Sequence, residues 1–237
     1  MAADHATVAE EEYLESLFWL FEAELPMTGA NLARAMQLSA PTVHEMLGRL
    51  ERDGYVARTS GRAIEFTPEG RDHASHIVSR HRMIERFLTD TVGVPWDDVH
   101  AEAEKLEHAM TPRFEAYVRA SVGDAKTCPH GHPIRVGERI DGVPLADCQV
   151  GAEVTILRLE NEAEDLLHYL KRAGVEPGMT GTVASNDGEE IHVETNGEMS
   201  TVTVSVAETV SVLADPSPPP RTALPEQLVL GRERYGR

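Results

Sequence analysis

The sequence predicts a mainly α fold, with helices through residues 1–121 followed by a small domain of short strands closed into a β-barrel. Three observations carry this. Leu14, Leu17, Phe18 and Phe21 recur at helical spacing, and so do Ala74, Ile77, Val78, Ile84 and Leu88 further on. Ser39 and Thr67-Pro68 are helix-start signals. From Val150 the pattern changes to alternation broken by Gly-rich turns, which suits a compact barrel.

Taken in order, a first amphipathic helix covers Tyr13 to Phe21, and residues 8–24 hold six Glu and no Lys or Arg. A short second helix reads from Ala30 to Met36. A third is capped by Ser39, tolerates Pro41 in its first turn and stops at Gly54. Tyr55 to Arg58 and Ala63 to Phe66 flank Thr59-Ser60-Gly61 as a β-hairpin. Thr67-Pro68 opens a long helix, and another starts near Asp97 with Val99, Ala103, Leu106 and Met110 on one side. Residues 121–144 lack periodicity and read as a linker. Val150 to Leu159 reads as a strand, Glu164 to Ala173 as a helix, and Gly181 to Val183, Ile191 to Val193 and Val202 to Val206 as further strands. The Pro-rich tail from Asp215 reads as disordered. The expected boundaries are therefore 1–72, 73–121, a linker 122–146, 147–214 and a tail 215–237.

Composition narrows the function. No run reaches the roughly 18 apolar residues of a membrane span, so no membrane partner is expected. The two cysteines rule out a disulfide scaffold, and without a signal-like N-terminus the expected compartment is the cytoplasm. Against 22 Lys and Arg stand 40 Asp and Glu, a net charge of -18 that on average opposes nucleic acid. The average conceals a neutral block. Residues 28–72 carry six Arg and six acids, so the remaining residues hold the whole surplus.

That block has the order of a winged helix-turn-helix: two short helices, the second capped, then a hairpin. Its second helix would present Ser39, Pro41, Thr42, His44 and Glu45 to base edges in a major groove. Arg49, Arg52, Arg58 and Arg62 would take phosphates from the same helix and the wing.

The surplus acids include a second pattern. Glu104, Glu107 and His108 share one helical face, His100 lies one turn before Glu104, and His81 and Glu85 are one turn apart on the preceding helix. Buried together, and joined by Glu12 and Glu15, such groups must pair with something, and a divalent cation does so directly. Carboxylate and imidazole donors favour Mn²⁺ or Fe²⁺ over Zn²⁺ or Cu⁺. No His-Glu-x-x-His, His-x-x-Glu-His or paired Glu-x-x-His motif supports a metalloenzyme, so the chain is read as no enzyme. Cys128-Pro-His130-Gly-His132 has the look of a metal knuckle, but it lacks a second group at zinc-finger spacing and reads as a linker turn.

These motifs resemble the DtxR/MntR family of metal-dependent transcriptional repressors. The resemblance covers roughly residues 8–214. It rests on Ser39-x-Pro41-Thr42-Val43 through Glu51-Arg52-Asp53-Gly54, on Thr67-Pro68-x-Gly70, on His81-Arg82-x-x-Glu85-Arg86-Phe87-Leu88, and on Val99-His100-x-Glu102-Ala103-Glu104-x-x-Glu107-His108. It implies a homodimer formed through the helices after the wing, a double-stranded palindromic operator, and an SH3-like, FeoA-type C-terminal domain. It implies a primary site of Glu12, Glu104, Glu107 and His108 and an ancillary site of His81, Glu85 and His100. Glu12 and Glu104 stand where iron sensors carry Met and Cys, and Glu15 matches a ligand of binuclear manganese sensors, so the resemblance leans to Mn²⁺ with Fe²⁺ as the alternative. Arg158 and Asn161 occupy the positions at which iron sensors offer ligands from the second domain. A metal-storage or trafficking role is the remaining alternative and would use the acids without the reading helix.

Overall fold

The computed structural model describes residues 6–59 and 63–219. Helix α1 (Val8–Glu22) starts at a capping box: Thr7 accepts from the Glu10 backbone, and Glu10 accepts from the Thr7 backbone at 2.6 Å. Helices α2 (Gly29–Ala35) and α3 (Ala40–Arg52) follow, the latter capped by Ser39. Strands β1 (Val56–Arg58) and β2 (Ile64–Phe66) form the antiparallel wing, whose tip lies outside the described residues. One core joins these elements. Leu14, Leu17 and Phe18 of α1 are fully buried with Leu32, Val43, Leu47 and Leu50, each side chain contributing about 1.5–3 kcal/mol. Helices α1 and α3 thus share one core, further tied by Arg49 Nε to Glu10 at 2.6 Å.

Helix α4 (Pro68–Phe87) begins where the sequence signals it, with Thr67 accepting from Gly70 N at 3.0 Å. The glycine of that motif has a steric reason: a Cβ at Gly70 would lie 1.8 Å from the Tyr55 carbonyl oxygen, so only glycine lets α4 start against the wing. Past α4 the chain makes one π-helical turn over Leu88–Val92, then α5 (Val99–Glu107) and α6 (Pro112–Val122). Leu106 does not join the buried stripe of α5; it is 46% exposed, while Val99 and Ala103 pack against Ile84 and Leu88. Helix α6, unread in the sequence, repeats the Thr-Pro start signal at Thr111-Pro112.

The second domain is one antiparallel sheet in the order β3-β8-β4-β5-β6-β7, built from β3 (Val143–Pro144), β4 (Glu153–Leu159), β5 (Thr180–Asn186), β6 (Glu190–Thr195), β7 (Glu198–Thr203) and β8 (Val210–Asp215). Helix α7 (Glu164–Arg172) covers its core through Leu167 and Leu170, and α8 (Val204–Ala207) follows β7. The strand expected over Val202 to Val206 ends at Thr203, because the Thr203 hydroxyl accepts from Val206 N and turns the chain into α8. Strand β8, unread in the sequence, pairs with β4 at the middle of the sheet and extends to Asp215. Of the described residues 45% are helical and 21% are in strands, so "mainly α" describes the N-terminal region and a sheet domain follows it. Most of the expected disordered tail, from residue 220 on, lies outside the described residues.

Residues 123–142 are not a free linker. Cys128, His130, His132 and Ile134 are buried, and the segment docks on β4, with Leu159 N donating to the His130 carbonyl at 2.9 Å. Gly131 has φ +90°, and a Cβ there would sit 2.0 Å from the Leu157 carbonyl oxygen. The two domains also meet through Lys171 on Asp97 and through His168 Nε2 on Asp98 at 2.7 Å.

Candidate metal centre

Helices α1, α4 and α5 converge with the 128–132 loop and the segment after β4, and their titratable side chains fill the junction. Both His81 nitrogens are engaged in it. Nδ1 lies 2.8 Å from Glu107 and 3.6 Å from Glu15; Nε2 lies 3.0 Å from Glu85 and 3.1 Å from His100 Nδ1. On the first side, Glu15, His81 and Glu107 place ligand atoms within 4.8 Å of one another. His108 extends this side, with Nε2 3.2 Å from Glu107 and Nδ1 2.8 Å from Glu11. Glu12, Glu15, Glu104, Glu107 and His108 line one cavity of about 220 Å³, with Glu104 half-exposed and 3.7 Å from His100 Nε2.

On the second side, His81, Glu85, His100 and Glu162 form another set within 4.8 Å. Glu162, which directly follows Asn161 beyond β4, reaches His100 Nδ1 at 2.8 Å. The second domain therefore enters the site through Glu162. Arg158 and Asn161 do not take this place: Arg158 donates to Glu160 and to the Ile140 carbonyl, and the Asn161 side chain accepts from Ala163 N. A third set joins Glu85 to Cys128 and His130. The Cys-Pro-His segment read as a linker turn is thus folded onto the acidic centre, with His130 Nδ1 3.2 Å from Glu85 and Nε2 donating to the Trp96 carbonyl at 2.7 Å.

Electrostatics set the protonation. Burial pushes His81 toward its neutral form, but Glu107, Glu85 and Glu15 override it and raise its pKa well above the usual value. Burial would likewise raise Glu85, yet His130 and His81 hold it well below the carboxylate range. Hydrogen bonds to Glu107 and Glu11 lift His108 to about 10, while Glu107, despite its burial, is held at about 2 by His81 and His108. Burial pushes the Cys128 thiol up to about 11 and His132 down.

The donor chemistry fits a divalent cation. Glu85 is fully buried, its Oε2 has no hydrogen bond among the described residues, and its Oε1 lies within 3.2 Å of three imidazoles. Carboxylates buried together this way need positive charge, which protonated histidines supply here and which a cation would replace. Sequence reasoning missed Glu11 and Glu162 and set Cys128 and His130 aside as a linker turn. Glu11 was signalled by its place one turn before Glu15; the others come from segments with no helical register to align them.

Helix α3 and its cap present Ser39, Pro41, Thr42, His44 and Glu45, expected to face base edges, on the exposed side, opposite buried Val43, Leu47 and Leu50. The Ser39 and Thr42 hydroxyls are 2.7 Å apart. Arg52 is exposed, whereas Arg49 is held by Glu10 and Arg58 lies 3.4 Å from Glu51. Arg62 lies outside the described residues.

Residues 5–64 match the iron dependent repressor N-terminal DNA binding domain, residues 67–135 the iron dependent repressor metal binding and dimerisation domain, and residues 143–214 the FeoA domain. The iron-dependent repressor IdeR of Mycobacterium tuberculosis is 32% identical over 194 residues, covering 75% of this chain and 84% of that protein. The diphtheria toxin repressor of Corynebacterium glutamicum is 32% identical over 195 residues, covering 76% and 86%. Among solved structures, a manganese-dependent transcriptional repressor in complex with manganese superposes with a TM-score of 0.76 at 27% identity, covering 86% of this chain and 99% of that one. IdeR of T. acidophilum superposes at 0.71 with 25% identity, covering 88% and 98%.

Proposed function

Since the chain belongs to the DtxR/IdeR family of metal-dependent transcriptional repressors, we propose that it is a Mn²⁺-loaded homodimer that represses metal-homeostasis genes from palindromic operators in the cytoplasm. Members of the family are repressors and not enzymes, and among the described residues no helix is long and apolar enough to cross a membrane. We take residues 1–72 as the reading domain, 73–121 as the metal-binding and dimerisation domain, and 147–214 as an SH3-like barrel. Residues 122–146 join them as a docked connector.

One observation carries the reading: the carboxylates of α1 face the His81, Glu107 and His108 cluster of α4 and α5, while α1 shares its core with the reading helix. A bound divalent cation supplies the positive charge that offsets these carboxylates. Glu12, Glu15, Glu104, Glu107 and His108 would hold it, with His81, Glu85, His100 and Glu162 forming the ancillary set. Through these ligands α1 is drawn onto α4 and α5, and α3 follows because α1 and α3 are one packed body. The spacing of the two reading helices in the dimer is thereby coupled to occupancy, and operator DNA must tighten metal binding by the same factor.

The carboxylate-rich primary cluster and the manganese-dependent structural neighbour support Mn²⁺. Fe²⁺ is the second reading, favoured by the iron-dependent relatives and by Cys128 beside Glu85, a soft donor that the donor argument from sequence left out. Fluorescence anisotropy with a palindromic promoter fragment, titrating Mn²⁺ and Fe²⁺ anaerobically, tests both. DNA affinity should rise with the physiological metal, and Glu104→Ala with His108→Ala should abolish the dependence. Equal affinity with and without metal would sink the reading.

A further inference from the structure

Glu10 sits in the first turn of α1, buried where that helix meets α3. Its two oxygens have different partners. Oε2 accepts from Thr7 N at 2.6 Å and from the Thr7 hydroxyl at 2.8 Å, and Oε1 lies 2.6 Å from Arg49 Nε. A buried carboxylate held by two hydrogen bonds is a rigid anchor, since turning away would leave its charge unpaired. Arg49, by contrast, is pinned along one edge and open on the other. Its side chain is 47% exposed, and Asp53 lies 3.9 Å from the same Nε. Thr42, Glu45, Arg49 and Arg52 recur at steps of three, four and three, so Arg49 shares the exposed face of α3. An acid beneath such an arginine can act in two opposite ways. It can compete with phosphate for the guanidinium, or it can aim the planar fork, which loses less freedom on meeting phosphate when one edge is already held. Burial favours aiming: the Glu10 side chain is 4% exposed, so its charge is turned to Arg49 and away from the solvent face.

We propose that Glu10 is a positioning residue for operator binding, pinning the Nε edge of Arg49 so that the outer edge of the guanidinium meets a DNA phosphate. This rests on the repressor reading above and deepens it. It makes one phosphate contact of α3 depend on α1, the helix that carries Glu12 and Glu15 and whose Glu11 reaches His108 Nδ1 at 2.8 Å. The contact is then aimed only when the first turn of α1 lies in place across α3.

The test is fluorescence anisotropy of the full chain with saturating Mn²⁺ and the palindromic promoter fragment, repeated over a salt series. Glu10→Gln suits it because Gln also serves at the third position of a capping box, so Thr7 N keeps an acceptor while the charge beneath Arg49 is removed. Affinity should fall about tenfold, and the salt slope should fall as far as it does in Arg49→Ala. The double variant should bind no more weakly than Arg49→Ala, because the loss passes through Arg49. Arg49→Lys leaves α1 untouched and keeps the charge, so the conclusion does not hang on the folding of one variant; it should also lose affinity, since a point charge has no second edge to offer. Unchanged or tighter binding by Glu10→Gln means that the acid competes with phosphate and overturns the proposal. A further loss in the double variant, or wild-type affinity in Arg49→Lys, overturns it as well. In each of these cases the repressor reading stands, provided the wild type binds the fragment with metal; wild type that does not bind overturns both.

Discussion

Proton displacement from the metal-free centre gives a pH dependence of known sign. His108 is lifted from its usual 6.5 to about 10 by hydrogen bonds to Glu107 and Glu11, so it is protonated throughout the neutral range. A cation that takes a His108 nitrogen must expel that proton, and apparent affinity then rises about tenfold per pH unit below pH 10. His81, also raised, adds a second proton if its nitrogen becomes a ligand, giving about a hundredfold per unit. Stability of the metal-free protein runs the other way. With a raised folded-state pKa, the His108 contribution is full below 6.5 and is lost as pH rises through about 10. The Glu107 contribution is present above 4.5 and is lost as pH falls through about 2. Calorimetric titration of Mn²⁺ at pH 6.5 and 7.5, in two buffers of different ionisation enthalpy, reads both the released protons and the affinity. Thermal melts of metal-free protein up to pH 10 read the second effect. A Kd unchanged between the two pH values, with no proton release, would refute the assigned protonation and the role of His108.

Three further outcomes follow from named contacts. Gly70→Ala places a methyl against the Tyr55 backbone, which cannot rotate away, and should cost about 3 kcal/mol or more in urea unfolding; an unchanged midpoint would contradict the close approach. Glu22→Gln leaves buried Arg82, which also donates to the Pro133 carbonyl, without its countercharge, and should cost about 3–5 kcal/mol at neutral pH. Burial opposes the charge on Glu22 but Arg82 lowers its pKa, so the wild-type contribution is present above 4.5 and lost as pH falls through the depressed value, an acid dependence the variant should lack in a pH series of melts. Arg52→Ala should weaken metal-dependent DNA binding and lower the salt slope by about 1, measured by anisotropy from low to physiological salt; an unchanged slope would remove Arg52 from the phosphate contacts.

Much of the site's helical half was legible in the sequence, because an α-helix converts spacing into geometry. Glu104, Glu107 and His108 share a face at fixed offsets, His81 and Glu85 do the same, and Ser39 and Thr67-Pro68 mark where helices begin. Once these segments are helical, their donors can only project together. Irregular backbone has no such rule. Cys128, His130 and Glu162 reach Glu85 and His100 because the loop packs on β4 and because the second domain docks on Asp97 and Asp98, contacts between residues far apart in the chain. The charge pattern divides in the same way. The neutral block around α3 could be counted from the sequence, but that Arg49 is held by Glu10 while Arg52 stands exposed depends on how α1 lies across α3. Local periodicity determined which residues face one another within an element. Packing between elements decided which carboxylates share a histidine, since that depends on burial and docking that no single stretch of sequence encodes.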